Sequence, residues 1–243
     1  MHSFFRYAAF EMPSHSEHIQ RVLAIPAKRF TRALVPFLSR QEVDALLAAP
    51  DQRTWSGRRD HALLLLAVQT GLRLSELTGL RHEDLHFGAG AHARVIGKGR
   101  KERCTPLSKS TRTVLATWVR ELSRAEEQPL FPNARGAQLS AHGMHYLLHK
   151  HVAAASAKCS SLNKKRVSPH VLRHTTAMDL LQAGVDCSVI ALWLGHESVE
   201  TTQVYLDANL ALKQEVLDKT TPPNGRPGRY RPDDRLLAFL KGL

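Results

Sequence analysis

Side chains able to transfer a phosphoryl group stand at widely separated places in this sequence. Such a transfer needs a nucleophile, cations on the non-bridging oxygens and a proton donor for the leaving oxygen. Arginine suits the second task, because its planar fork engages two phosphate oxygens and keeps its charge at every relevant pH. Arg73, Lys98, His170, Arg173, His196 and Tyr205 are of the types required, and Arg, Lys, His and Tyr together suffice with no metal. Each also has a plainer reading. Arg73 and Glu76 fit an ordinary i,i+3 pair, worth about 0.2–0.5 kcal/mol. Lys98 fits a solvated loop charge, His196 a helix C-terminal cap and Tyr205 a half-buried core aromatic. His170 and Arg173 fit the start of an exposed helix, where a cation opposes the macrodipole unless an anion lies close by.

The elements that must position these residues are mostly helical. Ser39 and Glu42 form a capping box ahead of Val43, Leu46 and Leu47, and Pro50 closes that segment. Residues 58–70 read as a buried helix stopped by Gly71. Short strands are expected at 93–96 and 103–107, joined through the basic turn 97–101, with a further strand near 85–87. Helices follow at about 109–122 and 141–157. Ser168 and Pro169 mark the start of another, which carries His170 and Arg173 and stops at Gly184. Asp186 caps the next, up to Gly195, and a last one from about 199 carries Tyr205.

Composition points to a globular protein with a polyanionic partner. The chain has 243 residues, 43% of them hydrophobic and 23% charged, with 34 Lys and Arg against 22 Asp and Glu, a net charge of +12. That balance favours nucleic acid, since neutralising phosphates releases condensed counterions. The scattered Cys104, Cys159 and Cys187 support neither a disulfide framework nor a four-cysteine zinc site, so a reducing cytoplasm is expected. The apolar run 62–68 is too short to span a bilayer, and residues 1–25 lack the core of a secretory signal. His142, His145 and His149 share a helical face, with His151 close by. That spacing is compatible with a metal, but a solvated or DNA-facing stripe is the preferred reading. His82 and His86 are expected at the surface.

The stretch Thr70-Gly71-Leu72-Arg73-Leu74-Ser75-Glu76-Leu77 resembles the first-arginine box of the tyrosine recombinases. Val95-Ile96-Gly97-Lys98-Gly99, with Lys101-Glu102-Arg103, resembles that family's lysine-bearing hairpin. Ser168-Pro169-His170-Val171-Leu172-Arg173-His174-Thr175 matches its His-x-x-Arg box. Leu194-Gly195-His196 matches the second-histidine box, and Tyr205 stands nine positions later. The likeness runs over about residues 31–218, in the family's order, and joint occurrence makes the signal specific.

The resemblance implies an α+β, mostly α-helical catalytic domain with a small antiparallel sheet. It implies that Tyr205 attacks the scissile phosphorus to form a 3′-phosphotyrosine, conserving bond energy so that no ATP, metal or other cofactor is needed. Arg73 and Arg173 would clamp the phosphate and Lys98 would protonate the departing 5′-oxygen. His170 would assist proton transfer, His196 would hydrogen-bond the phosphate, and Glu76 would orient the cations. Arg100, Lys101, Arg103, Lys164, Lys165 and Arg166 are candidates for DNA-backbone contacts. The implied partners are double-stranded DNA and a tetramer of the chain itself, with possible exchange of C-terminal tails. The implied setting is the bacterial cytoplasm, at the nucleoid, on a mobile element or plasmid, with no membrane.

Residues 1–30 read as the remnant of a core-binding domain and linker, which in the family usually runs to about a hundred residues. Phe4-Phe5-Arg6-Tyr7-Ala8 resembles the last helix of that domain and Ile25-Pro26 its linker. Residues 31–221 form the catalytic domain, and 222–243 a tail whose Leu236, Leu237 and Leu240 share one side of a short amphipathic helix. Two other readings use the same residues. A type IB topoisomerase shares the tyrosine chemistry, and a truncated, non-catalytic DNA-binding regulator would occupy recombination sites. A metal-dependent nuclease finds no acidic cluster placed to hold Mg²⁺.

Overall fold

The computed structural model describes residues 2–26, 35–97, 102–122 and 128–196. The chain divides into two compact units, 1–34 and 35–243. The first contains α1 (His2–Glu11) and α2 (Ser16–Leu23), joined by a 3-10 turn at Pro13–His15. Ile19 of α2 is buried, whereas Phe4, Tyr7 and Phe10 of α1 are exposed.

The second unit is mostly helical with a small sheet, the class that the sequence predicts. Helix α3 (Arg40–Leu47) opens on the expected capping box, in which Glu42 N donates to Ser39 Oγ (3.3 Å) and Ser39 N to the Glu42 carboxylate (2.7 Å). Helix α4 (Trp55–Thr70) starts ahead of the predicted 58, because Thr54 Oγ1 accepts from Gly57 N (3.0 Å) and caps an additional turn. It ends at Gly71, whose φ of 63° is left-handed. A side chain there would be strained, and its Cβ would lie 2.7 Å from Leu194 Cδ2. A short helix, α5 (Leu74–Gly79), follows, where only an i,i+3 contact between Arg73 and Glu76 is expected.

Strands β1 (Leu85–His86), β2 (His92–Ile96) and β3 (Glu102–Pro106) form an antiparallel sheet in that order. Ala93 lies opposite Thr105, and Val95 opposite Arg103. Helices α6 (Lys109–Glu121), α7 (Ala141–Ser156), α8 (Pro169–Gln182) and α9 (Cys187–Leu194) complete the described residues. Each is capped by a side-chain oxygen, from Ser108, Ser140, Ser168 and Asp186 respectively. The helix expected around Tyr205 and the C-terminal tail lie outside the described residues.

The main core gathers Leu63, Leu64 and Leu66 of α4 with Leu115, Phe131, Met144 and Leu148. Trp118 is buried among them and donates its indole N–H to the Leu130 carbonyl (2.9 Å). A second cluster joins Met178 and Leu181 of α8 to Ile190 and Leu194 of α9. Helix α7 turns Met144, Leu147, Leu148, His151 and Ala155 inward. His151 is thus part of the core, and His142, His145 and His149 are exposed on the opposite side. Among the described residues no helix is long and apolar enough to cross a membrane.

Candidate active site

Three helix ends meet where the sequence boxes converge. Arg73 caps α5, Arg173 lies in the second turn of α8, and His196 follows the Gly195 that ends α9. With His170 and His174 they line a cavity of about 630 Å³, whose rim includes Ser75, Thr78 and Gln138. Among the described residues lining it there is no Asp or Glu.

The arginines are held largely by main-chain carbonyls. Arg173 is buried (6% exposed), and it donates from Nη1 to Gly71 O and from Nη2 to Leu194 O, both at 2.7 Å. Arg73 donates from Nη2 to Gly195 O (2.7 Å) and from Nη1 to Glu76 Oε1 (3.0 Å). Gly71 and Gly195 are the left-handed caps of α4 and α9. The carbonyls at such helix ends lack partners within the helix and carry the negative end of its dipole. For Arg173 these fractional charges offset desolvation with little cancellation of its full positive charge, whereas Arg73 also pairs with the Glu76 carboxylate.

Glu76 is buried and lies between two arginines. Arg103 grips it with both terminal nitrogens (3.0 and 2.7 Å), and Arg73 contributes its backbone N–H (2.8 Å) besides Nη1. Burial alone would raise the Glu76 carboxyl, but the bonds and charges of Arg103 and Arg73 hold it down at about 2. The pair read as a plain i,i+3 contact is thus one side of a buried three-residue cluster.

The histidines respond to the surrounding positive charge. Burial and then the charges of Arg173, Arg73 and Arg103 lower His196 to about 4, so its ring is neutral near pH 7. His174 is lowered as well, by burial, by His170 and by Arg173. His174 stands in the Ser168–Thr175 box, and the family resemblance implies no role for it. Its place is one residue beyond Arg173 near the start of a helix whose first turns border the cavity. A neutral imidazole here still has one N–H to donate to a phosphate oxygen, and an arriving anion would raise its affinity for a second proton.

The expected backbone contacts divide. Lys164 and Arg166 are exposed, but between them Lys165 donates to Glu42 Oε2 (2.6 Å) and Phe37 O (2.9 Å). Arg103 is likewise turned inward, its side chain 13% exposed and its terminal nitrogens taken by Glu76. Both cations are used to neutralise buried carboxylates. Lys98, Arg100, Lys101 and Tyr205 lie outside the described residues.

Residues 36–211 match the phage integrase family. The whole chain is 69% identical to a Sinorhizobium fredii protein named as an integrase/recombinase (y4rC), and covers 73% of its length. It is 36% identical over 206 residues to the tyrosine recombinase XerC of Thermodesulfovibrio yellowstonii, covering 82% of this chain and 66% of that one. Among solved structures, the fold resembles XerH site-specific recombinase bound to palindromic difH substrate in a post-cleavage complex. That match has a TM-score of 0.67 and 23% identity, covering 82% of this chain and 57% of XerH. The XerA recombinase matches with a TM-score of 0.64 and 23% identity, covering 92% of this chain and 77% of XerA.

Proposed function

The chain belongs to the phage integrase family of tyrosine recombinases, and from that premise we propose that it breaks and rejoins duplex DNA through a covalent bond between Tyr205 and phosphate. The Tyr205 oxygen attacks the scissile phosphorus, a phosphotyrosyl bond forms at the 3′ side, and the bond to the 5′-oxygen breaks. Lys98 supplies the proton that the departing oxygen needs. Rejoining is the reverse, with a 5′-hydroxyl attacking the phosphotyrosine, so neither ATP nor a metal is consumed or required.

Arg73 and Arg173 hold the non-bridging oxygens and stabilise the charge that grows on them in the transition state. His196, neutral before DNA arrives, donates to the phosphate. His170 assists proton transfer at the nucleophile, and Glu76 orients the two arginines beside it. Lys164 and Arg166, exposed ahead of α8, suit contacts with the DNA backbone. Recombination of two duplexes calls for four copies of the chain, with the C-terminal tail a candidate for exchange between neighbours. Residues 1–30 are read as the remnant of a core-binding domain and its linker, with 31–221 as the catalytic domain and 222–243 as the tail. The setting is the cytoplasm, at the nucleoid.

The observation that carries this reading is the cavity itself, where two guanidiniums held by helix-end carbonyls meet no carboxylate among the described lining residues. The test is covalent trapping on a nicked suicide duplex without metal. We expect a protein–DNA adduct that resists denaturation and disappears in Tyr205→Phe. Binding of the same duplex with no adduct would instead make the chain a DNA-occupying regulator. Relaxation of a supercoiled plasmid without pairing of two sites would favour the topoisomerase reading.

A further inference from the structure

Arg103 occupies a place that the reaction just described does not use. It lies on β3, and its side chain points inward beside the buried Thr105, away from solvent. Both terminal nitrogens close on the Glu76 carboxylate, and Nε reaches the Trp193 carbonyl (3.3 Å). Glu76 in turn holds Arg73 by its backbone and its guanidinium, and Arg73 holds the Gly195 carbonyl. The guanidinium packs so closely over Gly195 that a Cβ there would lie 2.8 Å from Nη1. One side chain thus ties three elements together: the strand that follows Lys98 in the sequence, the start of α5 and the end of α9.

We propose that Arg103 is a positioning residue for DNA cleavage, fixing Arg73 through Glu76 and fixing the turn that leads into His196 through Trp193 and Gly195. The physical reason is the sharing of one carboxylate. With Arg103 in place, Glu76 divides its bonds between two guanidiniums. Without it, a buried carboxylate would have Arg73 as its remaining close cation and would draw that side chain away from the cavity. The turn before His196 would also lose the group packed against it. This inference rests on the reading of Arg73 as a phosphate ligand.

The experiment measures single-turnover adduct formation and DNA affinity in parallel on the suicide duplex, for Arg103→Met, Arg103→Lys, Glu76→Gln and the double variant Arg103→Met/Glu76→Gln. Displacing a phosphate ligand by an ångström can cost roughly 10²-fold in rate, so Arg103→Met is expected to cleave that much more slowly while binding DNA nearly as before. Arg103→Lys, which keeps the charge but not the fork, should recover part of the rate. The double variant should be no slower than the slower single one, because both substitutions break the same link. The His196 resonance in Arg103→Met should titrate at a higher pH, one neighbouring cation having gone. Equal losses of affinity and rate would make Arg103 a DNA contact and overturn the inference, as would a full rate in Arg103→Met. If Arg103→Met does not fold, Arg103→Lys decides, and a full rate there overturns it. Tyr205→Phe in the same assay keeps the two readings apart. An adduct that persists in Tyr205→Phe removes the cleavage reading, whereas its loss beside an unimpaired Arg103→Met removes only the positioning role.

Discussion

Between α4 and α7, Asp60 Oδ2 lies 2.8 Å from His151 Nε2, and Oδ1 takes two bonds from Arg59, at 2.9 and 2.6 Å. Asp60 and His151 are each only 4% exposed, and Arg59 reaches on to the Pro132 carbonyl. Around the cavity Arg103 and Arg173 are also withdrawn from water, Arg73 being 34% exposed, but their partners differ. Arg73 and Arg103 share one carboxylate, Glu76, and together with Arg173 otherwise hold the carbonyls of Gly71, Trp193, Leu194 and Gly195. The first region matches a buried carboxylate with full opposite charge and is complete in itself. The second retains positive charge while satisfying its donors, which is the state required of a site that must attract phosphate. Burial and bonding look alike in the two; the balance of charge separates them.

The most damaging test of this contrast is in the core. Breaking a hydrogen bond to a buried carboxylate and truncating a core side chain together cost roughly 3–5 kcal/mol, so His151→Ala should lower the unfolding free energy by about that much in urea titration. The fraction that remains folded should cleave the suicide duplex at the parent rate. A variant that kept its stability and lost cleavage would join the two regions into one functional unit.

Arg73→Lys is the converse. Losing one donor that stabilises transition-state charge costs roughly 10²–10³-fold in rate. Arg73 is at the cavity edge, and a lysine there keeps a cation beside Glu76, so the loss of stability should be smaller than in His151→Ala. Adduct kinetics and thermal melting, measured on the same preparation, check both statements.

A gentler test uses pH. His196 has its folded-state value lowered to about 4 from an ordinary 6.5. Stability associated with the neutral ring is therefore fully present above about 6.5 and is lost as pH falls toward about 4. DNA phosphate reverses the preference for the neutral ring, so binding should take up a proton in that window. Affinity should then rise as pH falls from 6.5 to 4, by at most about tenfold per pH unit for this one group. Calorimetry in two buffers of different ionisation enthalpy measures the uptake, and His196→Gln should abolish this component. The smallest effect belongs to the cap of α8. Ser168→Ala removes an acceptor for Val171 N and should cost about 1 kcal/mol, with cleavage altered only slightly.

Much of this arrangement is legible in the sequence, and the unread part has a common cause. The caps at Ser39, Ser140, Ser168 and Asp186 and the glycine stops at Gly71 and Gly195 are local signals, since each device involves residues a few positions apart. The pairing of β2 with β3 is local for the same reason. Arg103 and Glu76 are 27 positions apart, and Asp60 and His151 are 91 apart; no local rule connects them. Each nevertheless leaves a trace in the periodicity. Arg103 has the same strand parity as Thr105, which is fully buried. His151 continues the spacing of Met144, Leu147 and Leu148 along α7, while the exposed histidines fall between those positions. Lys165 lies between two exposed basic neighbours and points inward. Charged type argued for the surface in these cases, and position argued for the interior; position is the better guide where a carboxylate waits at the far end.

The turn that ends α9 presents the carbonyls of Trp193, Leu194 and Gly195 to three different arginines. Every amino acid carries the same carbonyl, so substitutions at Trp193 and Leu194 can change the packing without deleting an acceptor. The exacting position is Gly195, where any side chain would meet both a left-handed backbone and the Arg103 guanidinium. Along a lineage, Trp193 and Leu194 should therefore answer to the packing around them rather than to the arginines, and Gly195 alone should be held by both backbone and guanidinium.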